Sequence, residues 1–244
     1  MKPRIAVLMT IMILLTLATD IQAQGKKRQK AKAAQSVRVR VDPNDVLAAK
    51  QLLADLGYWV GPINSESDSY LKHSLIAFQK VEGRPTTGQI TPEELQTLRT
   101  AKRPEPREKN SAHIEIDLRR QVLFMVNENG VVSNILPVST GSGKMFTEGG
   151  RTRRAVTPIG TFVISRKIKA MHKSPLGLLY YPNYLVEGIA IHGNPSVPAF
   201  PASHGCIRIP MYAAVEFMAL APVGTPVVIH SGTEIQVNSM ESHP

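Results

Sequence analysis

The sequence predicts a multidomain chain: a small three-helix domain at residues 42–101, then a mainly β domain of sandwich or barrel type with one or two helices at residues 112–231. Two observations support this prediction. Apolar residues recur at helical spacing in the first part and alternate with polar residues in the second. Between the two parts, residues 102–111 are charged, contain two prolines and lack apolar side chains, as expected for an exposed linker.

Three helices are expected in the first part. Asp42 is a suitable cap for the first helix, which Gly57 should end. Ser69 is expected to cap the second helix. Thr91 and Glu94 stand at the spacing of a capping box and open a third, shorter helix.

Tyr58 and Trp59 lie on the turn after the first helix, and Trp59 is the only tryptophan of the chain. Exposed aromatic rings there would offer a contact surface for a sugar or a peptide, and simple core packing is the alternative. The surrounding pattern comprises Leu52, Leu56-Gly57-Tyr58, Ala77-Phe78-Gln79 and Gly88. It resembles the peptidoglycan-binding domain that accompanies many cell-wall enzymes.

In the second part, short apolar or alternating runs are punctuated by glycine and proline, which is typical of an all-β domain. Strands are expected at residues 113–118, 122–126, 131–139, 161–165, 189–191 and 225–229, and one helix at residues 211–220. Pro137 places the third strand at a sheet edge or at a bulge. Residues 140–154 are expected to form a loop rich in glycine and arginine.

The only cysteine, Cys206, follows Ser203-His204-Gly205, and His192 lies fourteen residues upstream at the end of an apolar run. A thiol with an ordinary pKa of about 8.5 is mostly protonated at neutral pH. It becomes a good nucleophile when an imidazole accepts its proton. His204 could do so from the same face of an extended segment. His192 could approach freely from across a sheet, which favours it as the base; an inert buried cysteine is the alternative to both.

The neighbours of this pair also have expected roles. Gly193 lets a backbone carbonyl approach the preceding imidazole and fix its tautomer. Gly205 permits a tight turn whose backbone amides, near the thiol, could bind the oxyanion of a tetrahedral intermediate. Ser203 either orients a histidine or hydrogen-bonds within its own turn. Arg208 either holds a substrate carboxylate or braces the loop through an ion pair.

These blocks resemble the signature of the L,D-transpeptidases of bacterial cell walls, and the resemblance extends over residues 112–230. Its motifs are Val138-Ser139-Thr140-Gly141, Thr157-Pro158-Ile159-Gly160, Ile191-His192-Gly193 and Ser203-His204-Gly205-Cys206-Ile207-Arg208. The resemblance implies that Cys206 attacks a tetrapeptide stem, releases D-alanine and passes the acyl group to the amine of another stem as a 3→3 cross-link. It also implies that His192 is the base, oriented by the Gly193 carbonyl, and that carbapenems acylate the cysteine.

Several alternatives remain open at this point. Water or a protein amine could replace the stem amine, which would give an L,D-carboxypeptidase or an enzyme that attaches proteins to the wall. A non-catalytic peptidoglycan-binding protein is a further possibility. A zinc hydrolase using His192, His204 and Cys206 lacks an obvious carboxylate base. No cofactor or metal is therefore expected, and the expected partners are peptidoglycan stem peptides.

The N-terminus indicates export. Residues 1–23 combine two basic residues, an uncharged run at residues 5–18 and Ala23 as a cleavage site, as in a secretory signal; an uncleaved anchor is the alternative. The net charge is +10, but residues 1–40 carry nine Lys or Arg and one acid. The basic excess therefore belongs to the signal and to a tether at residues 24–41, and it does not indicate a nucleic-acid partner. Residues 232–244 are expected to form a tail.

Overall fold

The computed structural model describes residues 41–232. The predicted signal, nearly all of the tether and all but the first residue of the tail lie outside the described residues, so they stay predictions. Within residues 41–232, no helix combines the length and the apolar character needed to cross a membrane.

The three predicted N-terminal helices are present as α1, Pro43–Asp55, α2, Ser69–Val81, and α3, Pro92–Thr100. The Asp42 carboxylate accepts a hydrogen bond from the Asn44 amide at 2.8 Å and caps α1 as predicted. The prediction for α2 was wrong by one residue, because Asp68 is the cap and accepts from the Leu71 amide at 2.8 Å. A carboxylate at this position also complements the positive end of the helix dipole.

The remaining described chain is mainly β, with one further helix. The strands are β1, His113–Asp117, β2, Val122–Val126, β3, Val132–Pro137, β4, Met145–Glu148, β5, Arg151–Arg154, β6, Gly160–Val163, β7, Arg166–Lys167, β8, Met171–Ser174, β9, Gly177–Tyr184, β10, Ala190–Asn194, β11, Ile207–Pro210, and β12, Pro226–His230. A 3-10 turn, Met211–Ala213, leads into α4, Ala214–Leu220. The predicted combination of three helices with a mainly β domain is therefore confirmed.

The strands form two five-stranded sheets and a separate hairpin. The first sheet has the order β3-β2-β1-β12-β6, and its central pair, β1 and β12, is parallel. The second has the order β11-β10-β9-β7, with β8 added beside β9, and its β10–β11 pair is parallel. Pro137 ends β3 at the edge of the first sheet, as its missing amide donor requires.

Strand β2 shows why part of the core was visible in the sequence. Its Leu123 and Met125 lie in the core between the two sheets, while Val122, Phe124 and Val126 face the N-terminal helices. Since both faces of this sheet are covered, the strand appears in the sequence as an unbroken apolar run without alternation.

Other strands were missed. The predicted loop at residues 147–154 is largely the β4–β5 hairpin, whose turn is formed by Gly149 and Gly150 with φ of 54° and 75°. Positive φ at two successive residues is the conformation that tight hairpins need. Strands β4, β5, β7 and β8 have no buried residues, so they lack the apolar alternation that reveals a strand.

Tyr58 and Trp59 do not form an exposed contact surface, so the premise of that prediction was wrong. Both side chains are buried, at 4% and 7% exposure. The Trp59 amide donates to the Ile135 carbonyl at 3.1 Å, and the Ile135 amide donates to the Gly57 carbonyl at 2.8 Å. This segment therefore pairs with the edge strand β3, and the Trp59 ring joins the core between the sheets. Tyr58 packs edge-on against Phe78.

The predicted linker at residues 102–111 is mostly exposed, yet it is held at several points. The Arg103 guanidinium donates to the carbonyls of Val132 and Asp55, at 2.7 and 2.6 Å. The buried Glu115 carboxylate accepts the amides of Arg107 and Glu108, at 2.9 and 2.8 Å. These contacts fasten the linker to both the helical part and the first sheet.

Candidate active site

The second sheet places the histidine and the cysteine blocks side by side. His192 lies in β10, and Cys206 immediately precedes β11, where the parallel register sets His192 opposite Arg208. Side chains two apart on a strand share a face, so Cys206, Arg208 and His192 project from the same side of the sheet. All three line one pocket of about 410 Å³, together with Ser203 and His204.

His192 is buried, with 4% of its surface exposed, and its tautomer follows from its partner. Its Nδ1 lies 2.9 Å from the Gly193 carbonyl oxygen, which can only accept, so Nδ1 carries the proton. Nε2 is then left with a free lone pair. Burial lowers the pKa of His192 to about 4, assisted by the Arg208 charge and opposed by the Gly193 hydrogen bond. The imidazole is therefore neutral at physiological pH and can accept a proton.

Gly193 itself is required by close packing rather than by an unusual φ. A Cβ at this position would lie 2.8 Å from the Ala214 Cβ and 3.0 Å from Cδ1 of Tyr180. Any side chain would thus push β10 away from α4 and from β9. The prediction that this glycine brings its carbonyl to the imidazole agrees with the observed contact.

The Cys206 thiol is half-buried and lies 3.7 Å from the Gly188 carbonyl oxygen, to which it donates. Burial raises the pKa of Cys206, while a hydrogen bond from the Ala190 backbone and the Arg208 charge oppose the rise. A raised thiol pKa and a lowered imidazole pKa together describe a neutral resting pair rather than a thiolate–imidazolium pair.

Ser203 hydrogen-bonds within its own turn, which is one of its two predicted roles. Its hydroxyl donates to the Cys206 carbonyl at 2.6 Å and accepts the Gly205 amide at 3.0 Å. The Gly205 amide therefore already has an acceptor within the turn. Within residues 41–232, the amides of His204 and Cys206 have no protein acceptor, so they remain available as donors.

Gly205 has φ of +136°, in the region that favours glycine. A Cβ there would lie 2.8 Å from Cδ1 of Ile189 and 3.0 Å from the Val156 carbonyl oxygen. The turn before the thiol is thus tightly enclosed on two sides.

Thr157 was not singled out as a functional residue, although it lies in one of the resembling blocks. Its hydroxyl donates to the Gly205 carbonyl at 2.6 Å and accepts the Gly141 amide at 2.9 Å. The Thr140 carbonyl accepts the Ser203 amide at 2.9 Å. These bonds explain why the Thr140-Gly141 and Thr157 blocks belong to the site: both hold the turn that presents Cys206.

His204, the alternative base, is exposed and packs against the β4–β5 hairpin. Its ring centroid lies 4.8 Å from that of Phe146. The Arg153 guanidinium lies over the same phenyl ring at 5.8 Å and forms an ion pair with Glu148. The hairpin thereby covers one side of the pocket.

Arg208 is half-buried and has no ion-pair partner among the residues that the structure describes. The predicted alternative, in which it braces the loop through an ion pair, therefore finds no support. In the same part of the chain, no three side chains of His, Cys, Asp or Glu are grouped as ligands of a metal ion.

Comparisons with known proteins match both parts of the chain. Residues 111–229 match the L,D-transpeptidase catalytic domain family, and residues 42–98 match a peptidoglycan-binding domain family. A crystal structure of an L,D-transpeptidase from Xylanimonas cellulosilytica is 36% identical, with 76% of this chain and 93% of that chain covered and a TM-score of 0.73. The chain belongs to the L,D-transpeptidase family.

A second solved structure, the L,D-transpeptidase (Yku) from Stackebrandtia nassauensis, is 20% identical to this L,D-transpeptidase. It covers 75% of this chain and 89% of its own, with a TM-score of 0.45. A search of curated proteins finds no match.

Proposed function

We propose that this L,D-transpeptidase forms 3→3 cross-links in peptidoglycan through a thioacyl-enzyme on Cys206, with release of D-alanine. The observation that carries the proposal is the placement of Cys206 and a neutral His192 in one pocket, with His192 in β10 and Cys206 directly before the neighbouring parallel strand β11. The donor is a tetrapeptide stem, and the acceptor is the side-chain amine of a second stem.

Acylation begins with both groups neutral. Nε2 of His192 takes the thiol proton while Sγ of Cys206 forms a bond to the carbonyl carbon of the stem amide. The oxygen becomes negative and is stabilised by the unoccupied amides of His204 and Cys206. The C–N bond then breaks, His192 returns the proton to the departing amine, and D-alanine leaves a thioester behind.

Arg208 is suited to the terminal carboxylate of the donor stem. It is a half-buried cation without an ion-pair partner in residues 41–232, and it lies on the same face of the sheet as the nucleophile. A guanidinium binds a carboxylate through two parallel hydrogen bonds, which fixes its orientation as well as its position. The stem amide would then lie against the thiol.

Transfer follows when the acceptor amine attacks the thioester carbon. The new amide bond forms as the C–S bond breaks, and His192 moves the amine proton to the leaving thiolate. Attack by water instead would give a carboxypeptidase with the same acyl-enzyme. The two outcomes differ only in the acceptor.

The other parts of the chain are consistent with action on the cell wall. We propose that residues 42–101 bind peptidoglycan, which the match of residues 42–98 supports, and that residues 102–111 join them to a catalytic domain at residues 112–231. Export by residues 1–23 would bring the enzyme to the periplasm or the cell wall. The basic tether at residues 24–41 would then precede the folded part.

The decisive experiment is intact-mass analysis of the protein after incubation with a carbapenem, beside Cys206→Ala. The native protein should gain the mass of one inhibitor, and Cys206→Ala should gain none. His192→Gln keeps the thiol and should acylate about 100-fold more slowly, since a general base contributes that order of rate. Mass spectrometry of muropeptides then distinguishes a 3→3 dimer from a tripeptide. Acylation or cross-linking by Cys206→Ala would contradict the proposal.

A further inference from the structure

Two oppositely charged side chains line the pocket without an ion-pair partner in residues 41–232: the Arg208 cation and the Glu187 anion. The other acid in the pocket, Glu148, already forms an ion pair with Arg153. A pocket with one unpaired cation and one unpaired anion suits the binding of one anionic and one cationic substrate group. The carboxylate is the one that the mechanism above leaves without a role.

Glu187 is held beside the nucleophile by a tight turn between β9 and β10. The Ile189 amide donates to the Val186 carbonyl at 2.8 Å, and the two central residues, Glu187 and Gly188, have φ of 46° and 81°. Glycine, asparagine and aspartate favour the first central position of such a turn, and glutamate does not. The next carbonyl along the chain, that of Gly188, lies 3.7 Å from Sγ of Cys206.

We infer that Glu187 binds the ammonium group of the acceptor stem and holds it beside the thioester on Cys206. This inference rests on the proposed function and adds the group that selects an amine over water. An exposed glutamate in a hairpin turn is commonly only a solvated charge. Here the turn also supplies the carbonyl that contacts the nucleophile, and Glu187 lines the same pocket as Cys206.

Binding of the acceptor by Glu187 also determines where the protons of its ammonium group go. An ammonium group held by Glu187 is not a nucleophile until it loses one proton to solvent, which leaves Nε2 of His192 free to take the second. His192 can accept because it is buried, neutral and free at Nε2. The free amine then attacks the thioester, the C–N bond forms, the C–S bond breaks, and the second amine proton passes through His192 to the thiolate. Glu187 therefore acts on the acceptor and has no part in releasing D-alanine.

The test compares Glu187→Gln, which keeps the size and removes the charge, with Glu187→Asp, which keeps the charge. Glu128→Gln is the matched control, because Glu128 is also an exposed glutamate in a hairpin turn but does not line the pocket. Each full-length protein is assayed with a tetrapeptide donor and increasing concentrations of a stem-peptide amine. D-Alanine release, hydrolysed donor and cross-linked product are measured separately.

Glu187→Gln should raise the KM for the amine about fivefold, the upper range for an exposed ion pair, and leave D-alanine release measured without the amine unchanged. Added salt should reduce the difference in KM between Glu187→Gln and the native protein. Glu187→Asp should recover part of the loss, and Glu128→Gln should behave as the native protein. An unchanged KM, or an equal loss of D-alanine release, would overturn the inference while leaving the proposed function intact. A native protein that forms no acyl-enzyme would overturn both.

Discussion

The Lys80 ammonium group donates a hydrogen bond to the Val138 carbonyl at 3.0 Å, joining helix α2 to the end of strand β3. It also donates to the Gln121 carbonyl at 2.9 Å. Two residues after Val138, the Thr140 carbonyl accepts the amide of Ser203 at 2.9 Å. The N-terminal helices are thus connected through a buried amine to the segment that holds the cysteine turn.

The first prediction is that the free energy of unfolding depends on pH through Lys80. Burial lowers the pKa of Lys80 to about 7, whereas the unfolded chain keeps a value of about 10.4. Between these values the unfolded state binds more protons, so the free energy of unfolding should rise with pH, by about 1–3 kcal/mol between pH 7 and pH 9.5. Urea unfolding at both pH values measures it.

Lys80→Met is the control for this titration, because it keeps an unbranched side chain and removes the amine. Its free energy of unfolding should rise less than that of the native protein over the same interval, since groups common to both proteins cancel. An identical rise in the two proteins would show that Lys80 does not change its proton affinity on folding.

The second prediction concerns the burial of Trp59. Trp59→Ala removes a large ring from the core between the sheets and should lower the free energy of unfolding by about 3–5 kcal/mol. Ile63→Ala, four residues on and 46% exposed, should cost no more than about 0.5 kcal/mol. Circular dichroism during urea unfolding follows both variants. A loss confined to the helical signal would mean that Trp59 does not support the sheets.

The third prediction concerns Gly205. Gly205→Ala forces a Cβ against Ile189 and Val156, so it should displace the turn and slow carbapenem acylation by at least about tenfold. Gly143→Ala is the matched control, since Gly143 also has a positive φ, of 71°, but has open space around it. Equal losses of acylation rate in the two variants would trace the effect to backbone strain and not to the close approach.

The fourth prediction concerns the protonation state of Cys206. Because burial raises its pKa, the rate of alkylation by iodoacetamide should climb steadily from pH 6 to pH 9, with a midpoint above the ordinary value of about 8.5. Cys206 is the only thiol, so the added mass reports on it alone. Fast alkylation that does not change between pH 5 and pH 7 would instead indicate a thiolate paired with imidazolium.

Much of this protein could be predicted from local sequence. The helices were visible because their caps and apolar spacing lie within a few residues, as at Asp42 and Thr91. The site was visible because Cys206 is the only thiol and has histidines at short spacing. Such features are properties of residues close together in the sequence, so they can be recognised without knowledge of the fold.

Tertiary structure alone decided the rest. The burial of Trp59 follows only from the pairing of its segment with β3, and the acceptor of the Gly205 amide follows only from the position of Ser203. Likewise, only the pairing of β10 with β11 and with β9 in the second sheet brings Glu187 into the pocket of Cys206. Burial, and the choice of partner for each donor, depend on which distant segments meet in space, and no local pattern carries that information.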